Sequence, residues 1–217
     1  MSAAARKVVL VDYGVGNLLS VSRALAACGG AVEQTGDPAR VAAAERLVLP
    51  GVGAFGDCMA ELARRGLAAP VRSFARTGRP MLGICVGMQI LFETGEEFGT
   101  HAGLGLLPGT IRAIPPTTDS GARRKIPHIG WNALLPAPRG GPWAGSIMDR
   151  VEPGESVYFV HSFSADAANA GDVLATADHD GYGVTAAVSR DNLFGCQFHP
   201  EKSGPVGLRI LASFLAR

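Results

Sequence analysis

Three short runs hold residue types able to do nucleophilic chemistry: Gly83-Ile84-Cys85-Val86-Gly87, Phe198-His199-Pro200-Glu201 and Pro50-Gly51-Val52-Gly53. Cys85 stands between an apolar run, "RPMLGIC", that reads as a strand and a segment, "VGMQILFETGEE", that reads as a helix. A sharp strand-to-helix turn strains the residue at the joint and projects its side chain, and small neighbours relieve the crowding. Gly83 and Gly87 suit that need. The pattern predicts an exposed Cys85 at a helix N-terminus, where the dipole and free N–H groups favour an anionic nucleophile. A buried structural cysteine between coincidental glycines fits the same five residues.

A thiol nucleophile needs a base, and the base needs an orienter. In an extended segment, residues two apart face the same way, so His199 and Glu201 share one side, with Pro200 between them opposing a helix. An ordinary surface turn is the plainer reading of His-Pro-Glu alone. In the third run, Gly51 and Gly53 let a strand end turn backbone N–H groups inward, and the Val52 peptide with the N–H of Val86 would then form an oxyanion hole. A glycine-rich turn before a helix is the alternative, and a phosphate cradle fits less well because no G-x-x-x-x-G-K-[ST] run is present.

These side chains need a frame. The chain has 217 residues, which suits one domain over 1–217. With 47% hydrophobic residues, 18% charged residues and a net charge of +1, nothing points to a disordered tail or a nucleic-acid surface. Four scattered cysteines without a CxxC pair or a metal-spaced cluster favour a reducing compartment. The leading "MSAAARK" lacks the apolar stretch of a signal peptide and no apolar run suffices for a membrane span, so the expectation is a cytoplasmic protein. Residues 7–50 alternate apolar strand, amphipathic helix, short strand and apolar strand, and continuous Val/Leu runs are those of strands buried on both faces. A helical stretch follows over about 54–77. Beyond about residue 104, shorter strand-like runs lie between Gly, Pro and Asp clusters, and the last segment reads as a helix with Pro205 near its start. The expected fold is α/β: a doubly wound, mostly parallel sheet with helices on both faces and extra antiparallel strands in the C-terminal half. Segments 115–125 and 136–146 read as loops.

With the three runs in this order, the chain resembles the class I (triad) glutamine amidotransferases through "PGVG", "GICVGMQ" and "QFHPEKS". More narrowly, "DYGVGNL" (12–18), "GLGLLPG" (103–109), "PHIGWN" (127–132) and "YFVHSF" (158–163) resemble the glutaminase subunits of imidazole glycerol phosphate synthase. The resemblance spans most of the chain. It implies a triad of Cys85, His199 and Glu201, an oxyanion hole around Val52, Gly53 and Val86, and a glutamine site using Gln89, Glu97 and the backbone at His161, Ser162 and Phe163. It also implies no metal or organic cofactor and a heterodimer with a β/α-barrel cyclase subunit, with Asn17, Trp131 and Lys202 facing that partner. Position 163, often tyrosine in such proteins, is phenylalanine here, and the 115–125 loop is longer than expected. Ammonia from L-glutamine would pass to the cyclase for conversion of PRFAR to imidazole glycerol phosphate and AICAR. The rivals are a glutaminase feeding another synthase, such as pyridoxal phosphate synthase, a non-catalytic member of the fold, and a thiol protease or amidase on a related fold.

Overall fold

In the computed structural model, which describes residues 6–140 and 143–217, the Val/Leu runs become the centre of a sheet. Met1–Ala5 of the leading segment and Gly141–Pro142 of the second loop lie outside the described residues. Strand β1 (Arg6–Val11) is followed by helix α1 (Leu18–Ala27), β2 (Gly30–Thr35), α2 (Pro38–Ala43) and β3 (Leu47–Gly51). The Asn17 side chain starts α1 by accepting from the Ser20 N–H at 3.4 Å, and Asp37, with Pro38 behind it, starts α2 by accepting from the Ala39 N–H at 2.8 Å.

The stretch expected as helix over 54–77 is two helices, α3 (Phe55–Arg64) and α4 (Ala68–Ala75), broken at Gly66 with φ +69°. Strand β4 (Met81–Cys85) leads to a single turn, α5 (Val86–Gln89). The chain then runs through β5 (Phe92–Gly95), β6 (His101–Ala102), β7 (Leu107–Ala113), β8 (His128–Ala133), β9 (Leu135–Pro136), β10 (Ser156–His161), β11 (Phe163–Ala167), β12 (Val173–His179), β13 (Tyr182–Arg190) and β14 (Leu193–Cys196) to α6 (Gly204–Leu215).

Among the described residues, the main sheet has the order β2-β1-β3-β4-β14-β13-β12-β9. Neighbours from β2 to β14 pair in parallel, and β13, β12 and β9 extend the sheet antiparallel. Helix α1 packs on α6, and α2 and α3 pack on α4, giving a helical layer on each face. Leu10, Leu47, Leu49, Leu82 and Ile84 are buried in the core between these layers. Among the described residues, two smaller sheets, β10-β8 and β11-β7-β5-β6, are hydrogen-bonded separately and pack on the main one through β8 against β12 and β11 against β13. Among the described residues no helix is long and apolar enough to cross a membrane.

Candidate active site

Because β3, β4 and β14 run parallel, their carboxyl ends finish at one edge, where open α/β sheets carry their sites. Gly51 pairs with Cys85 and Cys196 with Ile84, so Gln197 follows on beside Cys85 and His199 comes two residues later. The three runs read from the sequence therefore meet.

At the joint, Cys85 has φ 54° and ψ −117°, a backbone conformation that costs a non-glycine residue about 1–3 kcal/mol. The flanking glycines are there for close approach. A Cβ on Gly83 would stand 2.6 Å from the Gly87 carbonyl oxygen and 2.7 Å from the Met88 Cα, and one on Gly87 would collide with the Leu49 carbonyl. Two expectations fail here. The helix does not continue past Gln89, because the backbone is taken up by sheet pairing: β5 pairs with β7 at Thr94–Thr110 and with β6 at Thr94–Ala102. Cys85 is also not exposed; it is 4% accessible and forms part of a cavity wall. A single helical turn has too small a dipole to be its main electrostatic partner, which leaves that part to His199.

His199 Nδ1 lies 2.8 Å from Glu201 Oε1, and both side chains are buried. The carboxylate can only accept, so Nδ1 carries the proton and Nε2 is left for the thiol. Burial pushes the imidazole pKa down, but the neighbouring Cys85 and Glu201 more than offset it and raise it to about 9. Glu201 does not reach this place by strand alternation, as expected. It sits in a short 3-10 turn, Pro200–Lys202, fastened by Ser203 Oγ donating to the His199 carbonyl at 2.6 Å.

A cavity of about 300 Å³ joins Cys85, His199, Val52, Gly53, Val86, Gln89, Glu97 and His161–Phe163. The Gln89 amide nitrogen donates to the Phe163 carbonyl (3.2 Å) and to Gln197 Oε1 (2.9 Å). With both donors used, its oxygen is left to accept from a ligand. Glu97 accepts from the Phe55 N–H at 2.8 Å, capping α3, whose own cap position is Ala54; its second oxygen is available to a ligand ammonium. Gly53 has φ +87°, and a Cβ there would meet nothing within 4 Å. A larger groove, about 520 Å³, lies by the amino ends of β1 and β2; its Arg40–Glu33 and Lys7–Glu45 charges pair with each other and it holds no nucleophile.

Of the residues assigned to a partner face, Trp131 is 60% exposed and stands edge-on to Tyr158, with Lys202 Nζ 5.9 Å from the same ring. Asn17 is the cap of α1. The sequence reading missed Gln197, fully buried with its amide nitrogen 3.8 Å from Cys85 Sγ, and Tyr13, whose buried hydroxyl donates to the Pro50 carbonyl at 2.7 Å. Gln197 had a signal: a polar residue two before His199 in an otherwise apolar run.

The family model for glutamine amidotransferase class-I matches residues 9–217. The chain is 47% identical to the imidazole glycerol phosphate synthase subunit HisH 1 of Legionella pneumophila strain Lens, over 96% of this chain and 98% of that protein. It is 48% identical to the HisH subunit of Salinibacter ruber, over 95% and 93%. Among solved structures, PurLQS of Thermotoga maritima shares the fold with a TM-score of 0.71 at 24% identity, covering 97% of each chain. A putative GMP synthase subunit from Thermoplasma acidophilum does so with a TM-score of 0.67 at 18% identity, covering 99% and 94%. The chain belongs to the class-I glutamine amidotransferases and, within them, to the HisH subunits of imidazole glycerol phosphate synthase.

Proposed function

We propose that Cys85, His199 and Glu201 hydrolyse L-glutamine in the cavity at the sheet edge. Family membership makes the chain the glutaminase subunit of imidazole glycerol phosphate synthase, an enzyme of histidine biosynthesis. The observation that carries the residue assignment is the joint itself: a strained cysteine and a carboxylate-held histidine facing one cavity.

The Cys85 sulfur, as thiolate beside the His199 imidazolium, attacks the side-chain amide carbon of glutamine. The carbonyl oxygen takes the negative charge and is held by the Val52 and Val86 N–H groups. His199, charged at neutral pH because of its raised pKa, gives its Nε2 proton to the leaving nitrogen, and ammonia departs as the C–N bond breaks. A thioester remains. Water then adds to it, the now neutral His199 takes the water proton, and the C–S bond breaks to release glutamate and restore the thiolate. Gln197 donates toward the sulfur throughout. Gln89 accepts from the substrate, Glu97 faces its ammonium, and the 161–163 backbone takes its carboxylate end.

The partner in this reading is a β/α-barrel cyclase subunit, with Trp131, Lys202 and Asn17 on the facing surface and ammonia passing between the chains in the cytoplasm. A test on the assembled complex separates the two activities. Cys85→Ser should lower glutamine-dependent synthesis at least about 10³-fold, since a serine hydroxyl is a far weaker nucleophile. Synthesis driven by added ammonium salt at raised pH should survive. Retained glutaminase activity in a folded Cys85→Ser complex would sink the assignment.

A further inference from the structure

We propose that His128 is a positioning residue for the glutamine cavity: its Nδ1–H donates to His161 Nε2 and so holds His161 in the tautomer that fastens the carbonyl of Phe163. The inference rests on the reading above, in which the 161–163 segment takes the carboxylate end of glutamine.

The proton positions follow from the partners. His161 Nδ1 lies 2.8 Å from the Phe163 carbonyl, which can only accept, so Nδ1 carries the proton. Burial keeps this ring neutral, with its pKa lowered to about 3, so Nε2 bears a lone pair. That lone pair is 2.9 Å from His128 Nδ1, which must therefore be the protonated nitrogen of its own ring. His128 is also neutral, burial lowering it to about 4, and its Nε2 accepts from the Asn132 amide nitrogen at 3.3 Å. The Asn132 amide is itself oriented: its nitrogen also donates to the Asp178 carbonyl, and its oxygen accepts from the Ala133 N–H at 2.8 Å. Reversing the His128 or His161 tautomer leaves two lone pairs, or two protons, facing each other.

The fold supplies this relay. His128 and His161 are opposite residues on the antiparallel β8–β10 pair. The His128 ring is stacked between Phe159, 4.8 Å away, and His179, 4.2 Å away, so it has little freedom to turn. At the far end, the Phe163 carbonyl receives both His161 and Gln89, and Gln89 continues to Gln197 and the Cys85 sulfur. Removing the His128 donor frees His161 to rotate or change tautomer, and the 161–163 backbone loses its inner anchor. In the reading above this segment takes the carboxylate end of glutamine and not the reacting amide, so the loss falls on binding of ground state and transition state alike.

Two measurements decide it. On the wild-type chain labelled with ¹⁵N at histidine, imidazole NMR at neutral pH should show both His128 and His161 as neutral Nδ1–H tautomers; an Nε2–H tautomer at either would overturn the relay. On the complex with the cyclase subunit, His128→Phe keeps a stacked ring but removes the donor, and should raise KM for glutamine about tenfold with kcat within about twofold. His128→Asn places an amide donor near the lost Nδ1 and should bring KM back to within about threefold of wild type. A folded His128→Phe with unchanged KM, or equal losses in the Phe and Asn variants, would reject a positioning role. If the wild-type complex formed no glutamate, the glutaminase reading would fail, while the tautomers would still decide the relay.

Discussion

Around Cys85 the wall is backbone against backbone, with Gly51, Gly83 and Gly87 bringing β3, β4 and α5 closer than any side chain allows. Around His199 it is polar side chains in sequence: Glu201 on the base itself, Ser203 on its carbonyl, and His161 with His128 behind the adjoining cavity wall. Steric fit holds Cys85, the proposed nucleophile, in a conformation it would not otherwise adopt; hydrogen bonds and charge hold His199, the proposed base, and the cavity wall beside it. The same size of change should therefore act differently on the two sides, through packing on one and through protonation and alignment on the other.

Among changes that leave Cys85 in place, the largest effect is expected on the polar side. Glu201→Gln keeps the shape but removes the charge, and should lower glutamine hydrolysis about 10³-fold, less than loss of Cys85, because the carboxylate orients and stabilises His199 without being the nucleophile. It should also bring the His199 pKa down from about 9. The raised pKa stabilises the fold fully below about 6.5 and that contribution is lost as pH rises through about 9, so the variant's stability deficit should shrink across that interval. Kinetics and denaturation from pH 6 to 9.5 check both; a deficit that grew with pH would contradict the charge pairing.

On the steric side, Gly83→Ala should cost about 2–3 kcal/mol, since the added methyl meets backbone atoms that cannot turn away. That corresponds to roughly a 5–10 °C fall in Tm for a chain of this size. Calorimetry showing no fall would mean that the joint is looser than its geometry states.

The smallest effect is in acid. His128 and His161 are held neutral, with lowered pKa values of about 4 and about 3, while in the unfolded chain they titrate near the ordinary value of about 6.5. The unfolded state therefore binds more protons between those values, and stability falls as pH drops through that window. At pH 5.5 one such histidine accounts for about 1.4 kcal/mol. His128→Asn should lose that much less stability than wild type between pH 7 and pH 5.5 in urea titrations; parallel curves would show that His128 is not kept neutral.

The residues proposed to carry the chemistry, and the half of the sheet that presents them, were legible from residue types and spacing alone. Uninterrupted Val/Leu runs make strands that no exposed edge tolerates, and glycines two residues either side of a cysteine mark a crowded turn whatever surrounds it. Other features depend on contacts between distant parts of the chain. The chain after Gln89 has helical apolar spacing, yet it becomes β5 because β6 and β7 offer it sheet partners, and such pairing depends on where the rest of the chain lies. The same holds for Glu201, brought to His199 by a 3-10 turn, and for Cys85, hidden in a wall that distant residues complete. Tyr13 and the His128–His161 pair carry no spacing signal strong enough to name them. A hydrogen bond between residues 33 or 108 positions apart is written in the register of strands, and register is set by the packing of the whole sheet.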